Sequence, residues 1–269
     1  MPYCRQCGAE LPEGARFCPA CGTRVIPEAK PIETHRILKV AGKPKVAIKN
    51  IAPGFIEVKR GAGGEVSVDL DLRVPEDLDC NVLQENNVVT VTCRMKPSLW
   101  RWPSYIFGGG PRANILVSVP KETDLDLENR AGRLKVADVK GTIEAQSSAG
   151  TVSMLNCEGT VRTSTKAGSI SLENVRGTVT ARSSAGSIKF DGALSKGESW
   201  IRTSVGSIDI TLQDEPDLTV EASTSIGSIR CIPELADARY ERNRYTGRIG
   251  AGTGRLIAET ETGSITIRQ

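Results

Sequence analysis

The chain has 269 residues, a formal net charge of +3 and 25% charged residues. This length allows one large or two small domains, and the weak, mixed charge does not favour a nucleic-acid or membrane footprint. The sequence contains a single histidine, His35, so catalysis by Ser–His or Cys–His pairs has little support. We therefore expect that the protein is not an enzyme.

The N-terminus, MPYCRQCGAE, lacks the basic and apolar regions of a signal peptide. No apolar stretch approaches the length of a transmembrane helix. From these two features we expect a cytoplasmic protein, with no association with a membrane.

Residues 1–25 contain two CxxCG motifs. Four thiolates at this spacing can surround one zinc ion, and so short a segment needs the metal in order to fold. Because all four ligands come from the protein, none is left for water or substrate, and we expect one structural zinc per chain. The predicted ligands are Cys4, Cys7, Cys18 and Cys21. This segment resembles the short zinc ribbons at the N-termini of many bacterial proteins.

Some zinc ribbons bind nucleic acid, so the charge of this one bears on its partners. Its basic and acidic residues through Lys30 nearly balance, which disfavours nucleic-acid binding. The balance is +1, from Arg5, Arg16, Arg24 and Lys30 against Glu10, Glu13 and Glu28. The Pro-rich residues 26–36 that follow, which include His35, are predicted to be a linker.

Residues 37–120 alternate apolar and polar side chains between Gly, Pro or Asn, which predicts β-strands. We interpret them as the N-terminal cap and opening coils of a β-solenoid that extends to residue 269. A two-residue turn at Asn86 and Asn87 would place Cys80 opposite Cys93. These cysteines could form a disulfide, but buried thiols are favoured in a chain that already uses thiolates for zinc.

Acidic residues alternate with leucines in two segments and are predicted to lie on outer faces. Carbohydrate-processing β-helices use clustered surface carboxylates, so these are the only enzymatic candidates. A solvated face that discourages strand aggregation is the simpler interpretation. The residues are Asp69, Asp71, Asp124, Asp126 and Glu128.

Residues 98–112 are rich in aromatic side chains and end in three glycines before Pro111 and Arg112. Such a loop either folds back on the solenoid or exposes its aromatic residues as a contact patch for a partner protein. The candidate partner-binding residues are Trp100, Trp102, Tyr105 and Phe107.

Between Ala131 and Phe190 a glycine recurs at every ninth residue, and alternate units resemble each other, so the period is 18. This pattern predicts an all-β, single-stranded β-solenoid with two strands and two glycine corners per coil, regular over residues 121–269. Alternation predicts that large and small side chains form opposite inner walls. The large wall holds Val152, Met154, Ile170, Leu172, Ile188 and Phe190, and the other holds Ile143, Ala145, Val161, Thr163, Val179 and Ala181.

Beyond Phe190 the repeat is looser but continues to the C-terminus. A short helix is predicted after Pro233. Because the chain ends directly after the strand SITIR, the last coil is expected to be an open edge for self-association or a partner strand.

From about residue 37 to residue 269 the chain resembles adhesin-like β-solenoid domains of bacteria and archaea. The likeness rests on EVSVDLDLRVP before the hairpin, on GGGPR leading into NILVSVPKETDLDLEN, and on repeated AG-[ST]-[IV] strands. The resemblance implies a right-handed β-solenoid without catalytic residues.

Together these features predict a non-enzymatic scaffold for binding or assembly, whose partner is a protein or a second copy of the chain. Two alternatives are a carbohydrate-binding or carbohydrate-cleaving β-helix, and a regulator whose ribbon docks on nucleic acid or transcription machinery.

Overall fold

The computed structural model describes residues 3–4, 6–10, 12, 18–22, 32–96, 110–232 and 235–269. These residues form 22 β-strands, numbered in chain order, and one short 3-10 helix at Pro75–Asp77. No helix in these ranges is long and apolar enough to cross a membrane. The all-β prediction is confirmed.

The strands stack into two facing walls, and the first, wall A, is built mainly of parallel pairs. Its strands, in spatial order, are β5 (Leu78–Glu85), β6 (Val88–Met95), β2 (Lys45–Pro53), β8 (Asp124–Ala131), β10 (Lys140–Ala149), β12 (Glu158–Ala167), the second half of β13 (Ile170–Ala185), β15 (Glu198–Val205), β21 (Gly254–Thr262), β17 (Leu218–Ile226), β20 (Arg244–Ile249) and β19 (Ala236–Glu241).

Wall B lies opposite and begins with antiparallel strands before it becomes parallel. Its strands, in spatial order, are β1 (Ile32–Lys39), β4 (Glu65–Arg73), β7 (Arg112–Val119), β3 (Ile56–Arg60), β9 (Leu134–Ala137), β11 (Val152–Leu155), the first half of β13, β14 (Ile188–Leu194), β16 (Ile208–Leu212), β22 (Ile265–Arg268) and β18 (Ile229–Cys231).

The core fills the narrow space between the walls. Along each strand the side chains alternate between core and solvent, as in β4, where every second residue is buried. All twelve side chains predicted for the two inner walls are buried, from Val152 and Phe190 on one side to Ala145 and Thr163 on the other. Both predicted inner walls therefore line the core, and the second position of the wall A strands is small, as in Ala145, Thr163 and Ala181.

The corner glycines stack directly above one another. Gly168 has φ +151°, and a Cβ built on it would lie 1.9 Å from the carbonyl oxygen of Gly150. The same clash recurs along the whole column, so the corner requires glycine both for its backbone angle and for the close approach of the next coil. In spatial order the column is Gly54, Gly132, Gly150, Gly168, Gly186, Gly206, Gly263 and Gly227.

The order of glycines in this column also shows that, near both ends of the stack, coils that are neighbours in space are not consecutive in the chain. Strand β21 pairs with β15 on one side and β17 on the other, and β22 lies between β16 and β18. Likewise β2 lies between β6 and β8. The prediction that the last coil is an open edge is therefore wrong, because the C-terminal strands lie inside the stack and are paired on both edges.

The end of wall A is closed by an antiparallel hairpin. The predicted helix after Pro233 is absent from residues 235–269, where β19 and β20 pair with each other and β20 pairs with β17. Residues Pro233 and Glu234 lie outside the described residues. The side chain of Leu235 packs in the core at 4% exposure, and a Cβ on Gly247 would lie 2.5 Å from it.

The other end contains the predicted hairpin. Strands β5 and β6 pair across Asn86 and Asn87, with Cys80 opposite Cys93. The prediction of free thiols is wrong for this pair, since the two sulfur atoms form a disulfide. Strand β1 begins at Ile32, before the expected boundary at residue 37, and contains His35.

Candidate metal centre and surface sites

The four ribbon cysteines converge on one point. Each lies in or beside one of the two CxxCG turns, and their four sulfur atoms lie within 4.8 Å of one another. The Cys4 and Cys21 sulfurs are 3.6 Å apart, as are those of Cys7 and Cys18. With Zn–S bonds of about 2.3 Å, a tetrahedral site needs sulfurs about 3.8 Å apart. The cluster therefore fits a tetrahedral zinc site of Cys4, Cys7, Cys18 and Cys21.

The two turns that present these sulfurs have matching backbone hydrogen bonds. The N–H of Gly8 donates to the Cys4 carbonyl at 2.8 Å, and the N–H of Gly22 donates to the Cys18 carbonyl at 2.9 Å. Both glycines have positive φ, which lets the backbone of each turn fold back towards the cysteine sulfur atoms of that turn. Hydrogen bonds from the N–H groups of Cys7 and then Gln6 lower the pKa of the Cys4 thiol. These hydrogen bonds favour the thiolate form of Cys4, which is the form that binds metal.

Replacing one ligand is expected to remove the metal and unfold the ribbon alone. Cys18→Ser should abolish zinc binding, because serine replaces a thiolate ligand and the ribbon depends on the metal to fold. The far-ultraviolet circular dichroism of the β-walls should stay unchanged. Cys231→Ser, a change of the same kind at the edge of wall B, should keep the wild-type zinc content by elemental analysis. Loss of the β signal in Cys18→Ser would contradict the independence of the two parts.

The predicted acidic residues do not converge on one site. Asp69 and Asp71 lie on β4 in wall B, whereas Asp124, Asp126 and Glu128 lie on β8 in wall A. The core separates the two sets, so they cannot act on the same bond.

Most of these carboxylates already have partners. Asp69 contacts His35, Asp71 accepts a hydrogen bond from the Asn114 side chain at 3.0 Å, and Glu128 forms an ion pair with Lys49 at 2.6 Å. These contacts fit the simpler prediction of a polar outer face.

Asp124 has the most defined setting among these residues. Burial alone would raise its pKa, but the ammonium of Lys43, 2.6 Å away, and the backbone N–H of Thr142 hold the pKa of this carboxyl below its usual value. Asp124 thus remains charged at neutral pH and joins the loop before β2 to strands β8 and β10, a structural role.

The aromatic candidates Trp100, Trp102, Tyr105 and Phe107 lie outside the described residues. Their role in partner binding stays a prediction.

Sequence reasoning missed an amide ladder at one corner of the coils. The side-chain N–H of Asn156 donates to Asp138 at 2.9 Å, and that of Asn174 donates to Asn156 at 2.8 Å. All three residues have positive φ, which Asn and Asp tolerate better than other side chains. The repeat of Asp or Asn at 18-residue spacing was the available signal.

The fold and the cysteine cluster together define a class of protein, a zinc ribbon joined to a solenoid-like β-domain. Comparison with protein families agrees: residues 3–25 match the zinc-ribbon domain, and residues 159–268 match the toastrack domain DUF4097. The predicted combination of a zinc ribbon and a solenoid-like β-domain is thereby confirmed. No curated protein matches the chain.

Several solved bacterial structures are similar over most of the chain. One is a "putative adhesin" from Bacteroides fragilis, with 13% sequence identity, a TM-score of 0.49 and coverage of 88% of this chain and 97% of the other. Another is a "putative cell adhesion protein" from Clostridium sporogenes, with 14% identity, a TM-score of 0.40 and coverage of 89% and 100%.

Proposed function

We propose that this protein is a non-enzymatic scaffold for binding or assembly, made of a ribbon with one structural zinc and a right-handed solenoid-like domain. Ion pairs and hydrogen bonds between residues 18 positions apart, such as Lys140 with Glu158 and Arg162 with Glu144, support a coil of about 18 residues. The partner is a protein or a second copy of the chain. A cytoplasmic location stays a prediction from the N-terminal sequence.

One observation carries this proposal: the strands form a single continuous 22-stranded sheet around one core. Every coil is hydrogen-bonded to the coils beside it, so the side chains on the outer walls are held at fixed spacings of about 4.8 Å. A surface of this kind binds without first having to be ordered, which lowers the entropic cost of association. The domain is thus suited to hold partners at fixed positions.

The separated carboxylates support the non-enzymatic part of the proposal. Hydrolysis of a glycosidic bond needs two carboxyl groups that flank the same bond. Here Asp69 and Asp126 lie on opposite walls. The proposal therefore includes no hydrolytic site that combines Asp69 with Asp126.

The test is solution mass and metal content on the same full-length sample. Light scattering should give a defined oligomer, or a monomer that gains mass with its partner, and elemental analysis should give about one zinc per chain. Release of reducing ends from an acidic polysaccharide, lost in Asp126→Asn and kept in Asp209→Asn, would contradict the proposal.

A further inference from the structure

The outermost strands of the two walls have open edges. At one end of the stack, β5 and β1 each pair with a single described strand, and at the other end β19 and β18 do the same. The unpaired side of such a strand presents backbone N–H and C=O groups to which another strand can bind. The four edges differ in how far side chains of the protein already cover them.

The edges of β5 and β1 are covered by each other's side chains. The guanidinium of Arg36 on β1 donates to the carbonyl of Val82 on β5 at 3.1 Å. In return, the side-chain N–H of Gln84 on β5 donates to the carbonyl of Lys39 on β1 at 2.7 Å. Both carbonyls lie on the outer side of their strands, because they alternate with the backbone groups that bond to β6 and β4. This end of the stack is therefore protected against a further strand.

Strand β19 has no such cover. Its hairpin with β20 has a two-residue loop at 242–243, so Glu241 and Arg244 form a hydrogen-bonded pair. Because backbone groups alternate in direction along a strand, the N–H and C=O of Tyr240 point away from β20, to the open edge. No hydrogen bond from a described residue reaches these two groups, and all six side chains of β19 are exposed. The edge is thus accessible to another strand.

The side chains at this edge follow a self-complementary order. Arg239 and Glu241 project from one face of β19, and Tyr240 projects from the other, where its ring centroid lies 6.2 Å from that of Tyr245. Neither Arg239 nor Glu241 forms an ion pair with a described residue. Tyr240 is 64% exposed. One edge therefore carries a cation and an anion without partners, with an exposed aromatic ring between them.

A second copy of the same strand would satisfy all of these groups. If two β19 strands pair antiparallel about Tyr240, the two Tyr240 residues exchange both backbone hydrogen bonds across a two-fold axis. The residues before and after the axis then face each other, so Arg239 of each copy lies opposite Glu241 of the other. Opposite charges on facing positions of neighbouring strands stabilise the pairing.

The neighbouring open edge, that of β18, serves as an internal comparison. This strand has three residues, Ile229–Cys231, with an exposed Arg230 at its centre. Two-fold pairing about Arg230 would bring two arginines face to face, which is destabilising. The self-complementary charge order of β19 is therefore not a general property of the edges of this stack.

We propose that two copies of this chain form a dimer by pairing their β19 strands, so that wall A of one copy continues into wall A of the other. The bulge between Ala236 and Arg239, where Asp237 has positive φ, limits regular pairing to residues 239–241. So short a contact predicts a weak dimer that forms and dissociates with concentration. Because the edges of β5 and β1 are covered, assembly stops at two copies. This inference rests on the proposed scaffold role and names its surface and its partner.

The test is sedimentation velocity of the full-length protein at low salt over a range of concentrations. The wild-type chain should pass from monomer to dimer without larger species. Arg239→Glu and Glu241→Arg should each raise the dissociation constant by about tenfold or more, since the two-fold axis turns both Arg–Glu pairs into like-charge pairs. Arg130→Glu, at an exposed position on β8 near the other end of wall A, should leave the dimer unchanged.

Mixing the two single variants gives the sharpest readout. In a mixed dimer of Arg239→Glu with Glu241→Arg, both facing pairs again have opposite charges, so the mixture should recover dimers that neither variant forms alone. Recovery also shows that both variants are folded. If the mixture stays monomeric while each variant keeps the wild-type melting temperature, the assigned pairing of residue 239 with residue 241 is overturned.

The remaining outcomes separate this inference from the proposed function. A wild-type chain that stays monomeric at every concentration would overturn the β19 dimer and leave a scaffold for a foreign partner standing. A dimer that neither charge variant weakens, or assembly beyond two copies, would overturn the β19 assignment and leave self-association standing. Cleavage of a polysaccharide would overturn the non-enzymatic proposal and leave the dimer untouched.

Discussion

Gly168→Ala is expected to lower the free energy of unfolding by on the order of 4 kcal/mol. The new Cβ would lie 1.9 Å from the carbonyl oxygen of Gly150 and 2.7 Å from its carbonyl carbon, both of which are backbone atoms. These atoms cannot turn aside as a flexible side chain can, so neighbouring coils must separate. A φ of +151° adds strain for any residue with a side chain.

Gly42→Ala is the matched control for this change. Gly42 has φ +57°, and a Cβ built on it would meet no atom within 4 Å. Alanine there should cost about 1 kcal/mol, from the backbone angle alone. Denaturant titrations followed by circular dichroism would measure both variants. Equal shifts in the two would show that close stacking of the coils contributes nothing, contrary to the structure.

Removing residues 254–269 is expected to abolish cooperative folding of the C-terminal half of the domain. These residues form β21 and β22, which are paired on both edges, and they bury Leu256, Ile265 and Ile267. At about 1.5 to 3 kcal/mol for each buried side chain, these three alone contribute an amount comparable to the whole stability of a typical domain. Their loss would also leave β15 and β17 without a shared neighbour.

A point substitution tests the same arrangement without shortening the chain. Ile265→Asp places an unpaired carboxylate at a fully buried position, which is expected to unfold the surrounding coils. Ile226→Asp changes the same residue type where the side chain is 69% exposed, and it should shift the melting temperature little. If the truncated chain melts cooperatively near the wild-type temperature, β21 and β22 do not lie inside the stack, and the last coil forms its open edge.

Local sequence patterns were sufficient to predict the features whose geometry is set by residues close together in the chain. The CxxCG pairs predicted a cluster that the structure assembles, because a turn of a few residues sets the distance between two thiols. The Asn86–Asn87 turn predicted the register of Cys80 against Cys93, since a short hairpin loop fixes which residues face each other. What the turn could not decide was whether the two sulfurs are bonded.

The incorrect predictions concern segments whose structure depends on pairing with distant parts of the chain. Residues after Pro233 have a composition that suits a short helix, but β20 pairs with the edge of β17, and that pairing makes β19 a strand as well. The sequence also gives no sign that the inward hydroxyls of Ser147 and Thr165 lack a hydrogen-bond partner in the described part of the chain, whereas that of Ser183 donates to Gly168.

The sequence by itself determined the alternating strands, the two inner walls, the glycine corners and the cluster of four cysteines. Each of these follows from a short repeat or spacing, because alternation along a strand and the geometry of a tight turn act within a few residues. Only the tertiary structure decided the order in which coils stack. Strand pairing is satisfied equally well by neighbours near or far in the chain, so the places of β2 and β22 inside the stack depend on long-range contacts that no local pattern records.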